Sequence, residues 1–462
     1  MANLRGVFYF MCFSQCSLGS ILRSNLRSSL SKLGGTMSLE SYTYDEYIRD
    51  FERSYAVGSD EYNRRAQVFQ ASLKRVMAIN AKNAREDRKW WAGVHPFMDW
   101  TQAERSALNG YKPSRAKAGS APGGLAALQT FGDAGVSTRF NASFYGDSAS
   151  WEGVAMRQQG SCGSCWAISA VEAVEARLPA NTKLAAQALV DCVPNPHHCG
   201  GKGGCDGATG ELAYEFIRDH GIPLESNYAY TAETGSCPMN PATDLFPASQ
   251  RARVAGWTTL PSNKAQPLME ALYSQGPVVV AVDANDWFDY DNGVFDGCKK
   301  DATLGHAVLA KGYGGEGSTK YWRIQNSWGG NWGEKGHIRL KRQDAATEEQ
   351  FCGQDRKPQE GLGCDGGPPE VTVCGMCGIL FDPIYPTGVT LEGGDSHIAT
   401  PSPMVMRDVK LPEMPKPSSL DEAPPVMSDD AAADEDRKEE SSESSKTNAV
   451  AEMKEMFRRG RI

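Results

Sequence analysis

An α+β fold is the class this sequence predicts, and three observations carry it. Apolar residues recur at helical spacing in Tyr42 to Asn83 and again in Cys165 to Leu178. Short β-rich runs such as Val278-Val279-Val280-Ala281-Val282 follow later. Composition also shifts near Arg139, from polar helical text to a stretch rich in Gly, Trp, Tyr and Cys. At 462 residues the chain is too long for one core, so several units are expected.

In order, residues 1–40 form a targeting or poorly defined N-terminus. Val7 to Phe13 behind Arg5 is too short to cross a bilayer and resembles at best a meagre signal-peptide core. Residues 41–138 form a helical unit and linker: Phe51, Tyr55, Val68, Phe69, Leu73, Val76 and Ile79 recur near a 3.6-residue period, and Pro113 to Gly124 reads as a cleavable connector. Residues 139–394 hold the core. There, Ala167, Ala170, Val171, Val174 and Leu178 share one side of a helix that starts at Cys165, and Ala307–Tyr313 and Tyr321–Gln325 read as strands. Residues 395–462 are Pro-rich and then acidic, a composition expected to be disordered, with a short amphipathic element at Val450 to Arg459.

A net charge of −9 argues against nucleic acid as a partner. Eleven of the thirteen cysteines lie between Cys162 and Cys377, which points to an oxidising compartment. Asn141-Ala142-Ser143 is a glycosylation acceptor motif. Removing Cys165 leaves an even set of ten, compatible with five bridges. His197-His198 beside Cys192, Cys199 and Cys205 invites a zinc reading, but no ligand spacing fits and oxidised cysteines do not bind zinc.

Gln159-Gly160-Ser161-Cys162-Gly163-Ser164-Cys165-Trp166, Gly305-His306-Ala307-Val308 and Asn326-Ser327-Trp328-Gly329 together resemble the papain family of cysteine peptidases. The resemblance covers roughly Tyr42 to Gly388. It implies a two-lobed fold, one lobe helical and one barrel-like, behind a helical inhibitory propeptide. A second signature agrees: Glu61, Arg65, Phe69, Val76 and Asn80 fit the spaced pattern of cathepsin L-type propeptides, with Ser72 in a usual Asn place. Gly93 to Asp99 resembles the companion motif, with His95 in another Asn place.

The chemistry explains these residue types. A free thiol titrates near about 8.5 and needs activation at neutral or acid pH. A helix N-terminus and an imidazolium both lower that value, so Cys165 and His306 are expected to form an ion pair. The resemblance gives Asn326 the orientation of the imidazole, Trp328 the shielding of that bond, and Gln159 with the Cys165 N–H the stabilisation of an oxyanion. Gly305 departs from the Asp or Asn of many members.

Family matching further implies bridges Cys162–Cys205, Cys192–Cys237 and Cys298–Cys377, and leaves the pairing of Cys199, Cys352, Cys364 and Cys374 open. It places Gly163, Gly207, Ala208, Thr209, Gly210, Ala281, Leu304, Ala307, Trp328 and Asp382 around the substrate. Asp382 falls at the floor of the pocket for the second residue before the cut, or else points to solvent. The expected molecule is a self-inhibited, monomeric cysteine endopeptidase acting on proteins or peptides. It calls for no metal or cofactor and is exported to the exterior or to a lysosome- or vacuole-like compartment. The alternative is an inactive inhibitor or scaffold of the same fold.

Overall fold

The computed structural model describes residues 39–110, 149–239, 246 and 250–393. The N-terminal sequence, the connector at Pro113, the Asn141 motif and the acidic tail lie outside them.

The helical unit is two helices rather than one continuous pattern. Helix α1 (Tyr44–Asp50) is closed by a reciprocal Thr43–Glu46 capping box, and α2 (Asp60–Arg85) starts at the Ser59 cap. Phe51 and Tyr55 therefore belong to the connector, where Glu52 and Gly58 take positive φ that no helix tolerates. Phe69, Ser72, Leu73 and Val76 form the buried stripe of α2, and Tyr44 and Tyr47 pack on Phe69. Strand β1 (Trp90–Ala92) and helix α3 (Gln102–Ser106) follow.

The core domain opens with β2 (Ala149–Ser150) and then α4 (Cys165–Glu175). Helix α4 is buried on every side, not on one, and ends three residues before Leu178. Helices α5 (Ala186–Cys192) and α6 (Gly210–His220) pack beside it. The short strands β3 (Ile222–Pro223) and β4 (Arg251–Arg253) pair with each other, and β5 (Gly256–Thr259), which joins the main sheet, precedes α7 (Ala265–Ser274).

The second lobe is built from β6 (Val278–Val282), β7 (Tyr290–Phe295), β8 (His306–Glu316), β9 (Thr319–Gln325) and β10 (His337–Arg342). Beyond it come α8 (Ala345–Glu348), β11 (Cys352–Asp355), β12 (Val371–Cys374), β13 (Ile384–Thr387) and β14 (Thr390–Glu392). The main sheet runs β1-β7-β10-β9-β8-β6-β13-β5, with β2 on β8. Its first strand comes from the N-terminal unit: Trp90 pairs with Gly293 and Trp91 with Asn292. That unit thus completes the sheet and joins its core, where Trp90, Phe97, Met98 and Leu108 pack with Phe288, Trp328 and Phe295.

All ten cysteines other than Cys165 in this region are bridged. Cys162 joins Cys205, Cys192 joins Cys237 and Cys298 joins Cys377, while Cys199–Cys364 and Cys352–Cys374 are the two pairs the sequence left open.

Candidate active site

Cys165 is the first residue of α4, fully buried and unbridged. Its position follows from local sequence. Gly163 packs against the Cys205 carbonyl beside the Cys162 bridge, and the mainly apolar stretch from Trp166 to Val174 carries the helix into the interior. The sulfur sits among backbone N–H groups of its own helical turn and of Gly110 and Ala307, the last donating at 3.4 Å. These donors favour the thiolate, yet burial outweighs them and pushes the thiol up to about 11.

The β6–β8 register sets Ala281 opposite Ala307 and Val282 opposite His306, which places His306 at the start of β8. Its Nε2 is 2.8 Å from Asn326 Oδ1. The Ser327 N–H donates to the same oxygen at 2.8 Å, which fixes the Asn326 amide as acceptor toward the ring. Nε2 must therefore carry the hydrogen, leaving Nδ1 as the basic nitrogen. Nδ1 is buried without a hydrogen-bond partner, and burial holds the imidazole down to about 4. Burial therefore disfavours the charged form of both groups in this covered state, which opposes the expected ion pair. Trp328 lies 5.2 Å from the His306 ring and stacks on Phe288 at 4.5 Å, roofing the Asn326 contact.

Gln159 is held at both ends. Ser327 Oγ donates to its Oε1 at 2.7 Å, so Nε2 faces the cleft and donates to the Leu108 carbonyl at 2.8 Å and to the Cys162 carbonyl at 2.9 Å. Leu108 belongs to the N-terminal unit, and its neighbours continue along the site. Asn109 Nδ2 donates to Asn285 Oδ1 at 3.1 Å, and a side chain on Gly110 would collide with the Cys165 sulfur and the Gly163 carbonyl. The Gly110 carbonyl in turn lies against Gly207, where there is no room for a Cβ. Main chain of the N-terminal unit thus fills the space over Cys165.

That unit is pinned from outside the cleft as well. Arg75 donates to both Asp289 oxygens at 2.5 and 2.8 Å, and the fully buried His95 meets the same carboxylate at 3.0 Å. The two partners hold Asp289 well below the usual carboxylate range, while burial lowers His95. Arg65 forms a two-pronged pair with Glu104, whose pKa falls to about 2. Asp99 receives Tyr47, Tyr55 and Arg53.

Around the pocket, Ala208, Ala281, Leu304 and Ala307 share one apolar cluster with Ile384, and Gly210 faces Ile384 and Val279. Asp382 does not simply point to solvent. It is hydrogen-bonded to Glu211, which also receives Thr209; burial raises both acids, and the facing Glu211 carboxyl pushes Asp382 up further while the hydrogen bond from Asp382 partly offsets the rise of Glu211. Sequence reading missed Glu211, Ser327, Leu108 and Gly110. Only the Ser327 hydroxyl beside Asn326 carried a local hint. His198 pairs with Asp365 at 2.8 Å, the His197 carbonyl accepts the Asp365 N–H, and the neighbouring cysteines are all oxidised.

Similarity to known proteins agrees with this geometry. A family model described as papain family cysteine protease matches residues 147–369, and one described as cathepsin propeptide inhibitor domain (I29) matches residues 44–104. A cathepsin L-like proteinase of Fasciola hepatica is 30% identical over 67% of this chain and 90% of its own length. Vignain of Vigna mungo is 35% identical over 63% and 78% respectively. Among solved structures, digestive procathepsin L 3 from the larval midgut of Tenebrio molitor superposes with a TM-score of 0.56 at 27% identity, covering 74% of this chain and 97% of that one. The recombinant stem bromelain precursor gives 0.54 at 27% identity with the same coverage.

Proposed function

The chain belongs to the papain family of cysteine proteases and carries an inhibitory propeptide domain, and from that premise we propose that Cys165, His306, Asn326 and Gln159 hydrolyse peptide bonds while Leu108 to Gly110 hold the site shut. One observation carries this reading: the Gln159 amide donates to the Leu108 carbonyl while Gly110 lies against a buried thiol, and the buried His306 keeps a bare Nδ1. An inactive scaffold has no use for such an arrangement.

When the propeptide leaves, water reaches both groups and the burial penalty on their charged forms is relieved. The Cys165 proton passes to His306 Nδ1, giving the ion pair. The thiolate attacks the substrate carbonyl, whose oxygen becomes negative where Leu108 O now sits and is received by Gln159 Nε2 and the Cys165 N–H. His306 then gives its proton to the departing amine. Finally, water adds to the thioester with His306 as base, which releases the acid and restores the thiol. Asn326 keeps Nε2 occupied, so that proton traffic uses Nδ1 alone.

The propeptide passes from Gln159 at Leu108 to Gly207 at Gly110, the reverse of a substrate, whose residues before the cut would lie on Gly207 and Ala208. A reversed main chain does not present a peptide carbonyl to the thiolate in the attacking geometry. The pocket formed by Thr209, Gly210, Ala281, Leu304, Ala307 and Asp382 receives the second residue before the cut, and the Glu211–Asp382 pair gives it affinity for arginine as well as for large apolar side chains. Five bridges favour an oxidising destination, the exterior or a lysosome-like vesicle. The enzyme works as a monomer on protein or peptide chains and not on nucleic acid.

Replacing the nucleophile tests the assignment. Cys165→Ala is expected to fold as the uncut zymogen and to cleave nothing; turnover above roughly a thousandth of wild type would overturn it.

A further inference from the structure

Between β10 and the Cys298–Cys377 bridge the chain makes a detour that the main sheet does not require. After α8, strands β11 and β12 form a hairpin, joined at its base by the Cys352–Cys374 bridge, and residues 356–370 are its loop. The loop is internally tied. Gly361 and Gly363 N–H groups both donate to the Pro358 carbonyl at 3.0 and 2.7 Å, and the Gln359 amide reaches the Gly367 and Pro368 carbonyls at 3.2 and 2.8 Å.

The loop is fastened to both lobes. On the sheet side, Asp355 accepts the Leu304 N–H at 3.1 Å, and Gly361 presses so close that a Cβ there would stand 2.5 Å from the Leu304 carbonyl oxygen. On the helical side, Cys364 is bridged to Cys199, the Gly200 N–H donates to the Gly363 carbonyl at 3.2 Å, the Asp365 N–H donates to the His197 carbonyl at 2.9 Å, and the Asp365 carboxylate meets the His198 ring. Leu304 stands two residues before His306. The Gly200 carbonyl abuts Gly207, the glycine against which Gly110 of the propeptide lies. Between these anchors, Leu362 packs on the apolar cluster that contains Ala208, Leu304 and Ala307.

We propose that Pro358 to Asp365 form a strap that ends the substrate cleft just beyond the pocket for the second residue before the cut, so that the enzyme reads two residues on that side and favours short peptides and chain ends. This rests on the peptidase reading above. An extended peptide advances about 3.3 Å per residue, so its third and fourth residues would have to cross the line from Leu304 to Gly200. In an open cleft such residues add contacts that raise the rate of the chemical step; here they meet the strap.

The full chain, after its own acid processing, is assayed on peptides of one fixed dipeptide before the cut, carrying none, one, two or three further N-terminal residues. We expect kcat/KM to stay within about threefold across the series, or to fall, whereas an open cleft would give a rise of about tenfold or more. That rise, with Cys165 still labelled by an activated epoxide, overturns the strap proposal alone. Absence of both hydrolysis and labelling overturns the peptidase reading and the strap with it. A variant lacking residues 358–365, with Cys199→Ser, is expected to gain on the longer peptides relative to the shortest one. If it fails to fold, the wild-type series still decides.

Discussion

Gln159 is positioned by the Asn326 motif as well as by its own segment. Ser327 Oγ fixes which end of the amide faces the cleft, and the Leu108 carbonyl marks where an oxyanion would sit. Gln159→Ala is expected to lower kcat by about a hundredfold to a thousandfold, with epoxide labelling of Cys165 largely kept. Equal loss of labelling would mean that the substitution had disturbed the nucleophile instead. Glu211 and Asp382 form the second residue-scale device. Both acids are raised, so the fold favours the state in which a proton lies between them. Its stabilisation is present at low pH and is lost as pH rises through the folded values. The pocket's negative charge grows in the same direction, and so should the preference for arginine over leucine at the second position before the cut. Paired Arg and Leu substrates measured across pH check this. A ratio unaffected by Asp382→Ser would remove the pair from the pocket.

The propeptide contacts set the expected pH dependence of its release. Asp289 lies well below the usual carboxylate range and Glu104 falls to about 2, so both contribute to docking above their free values and keep it until strongly acid pH. Neither titrates in a vesicle at pH 4.5 to 6. His95 has the opposite sense: burial lowers its docked value, so the undocked state binds the extra proton, and docking weakens as pH falls through about 6.5. Asp289, Arg75 and Arg105 are the charges that face it. His95→Asn is therefore expected to move the midpoint of self-processing to lower pH, as followed by gel across a pH series; an unmoved midpoint would take His95 out of the trigger. Arg75→Ala leaves the buried Asp289 with one partner fewer and is expected to speed processing at pH 7.5 by about tenfold or more.

At the scale of the molecule, the propeptide is less a lid than a missing part of the sheet. β1 pairs with β7, and Trp90, Phe97 and Leu108 enter the core of the β6–β10 lobe. Departure of the propeptide uncovers that apolar surface together with Cys165, so release and activation are one event. The Cys199–Cys364 bridge ties the helical lobe to the strap near the cleft. The family match ends at residue 369 and β14 ends at Glu392, while the acidic segment follows. A chain ending at Gly393 is expected to hydrolyse peptides at the wild-type rate; a large loss by correctly folded protein would give the tail a part in catalysis.

Cys165, His306 and Asn326 were legible because each stands in a short motif whose residue types have one chemical use together, and helices α2 and α4 because apolar periodicity is a local property. The break at Phe51 to Gly58 was not, since helical spacing continues through a connector that positive φ forbids from being helical. Nor does periodicity report that α4 is buried all round, because that depends on what the other lobe brings to its far side. The sequence alone determined the class of fold, the candidate reacting groups and the presence of an inhibitory segment. Tertiary structure alone decided that Leu108 and Gly110 occupy the site, that Glu211 faces Asp382, and that Cys199 meets Cys364. These are contacts between residues distant in the chain, whose pairing is set by the packing of whole elements and leaves no local pattern to read. The electrostatics follow the same division: residue types name the thiol and the imidazole, but burial under the propeptide is what disfavours their charged forms.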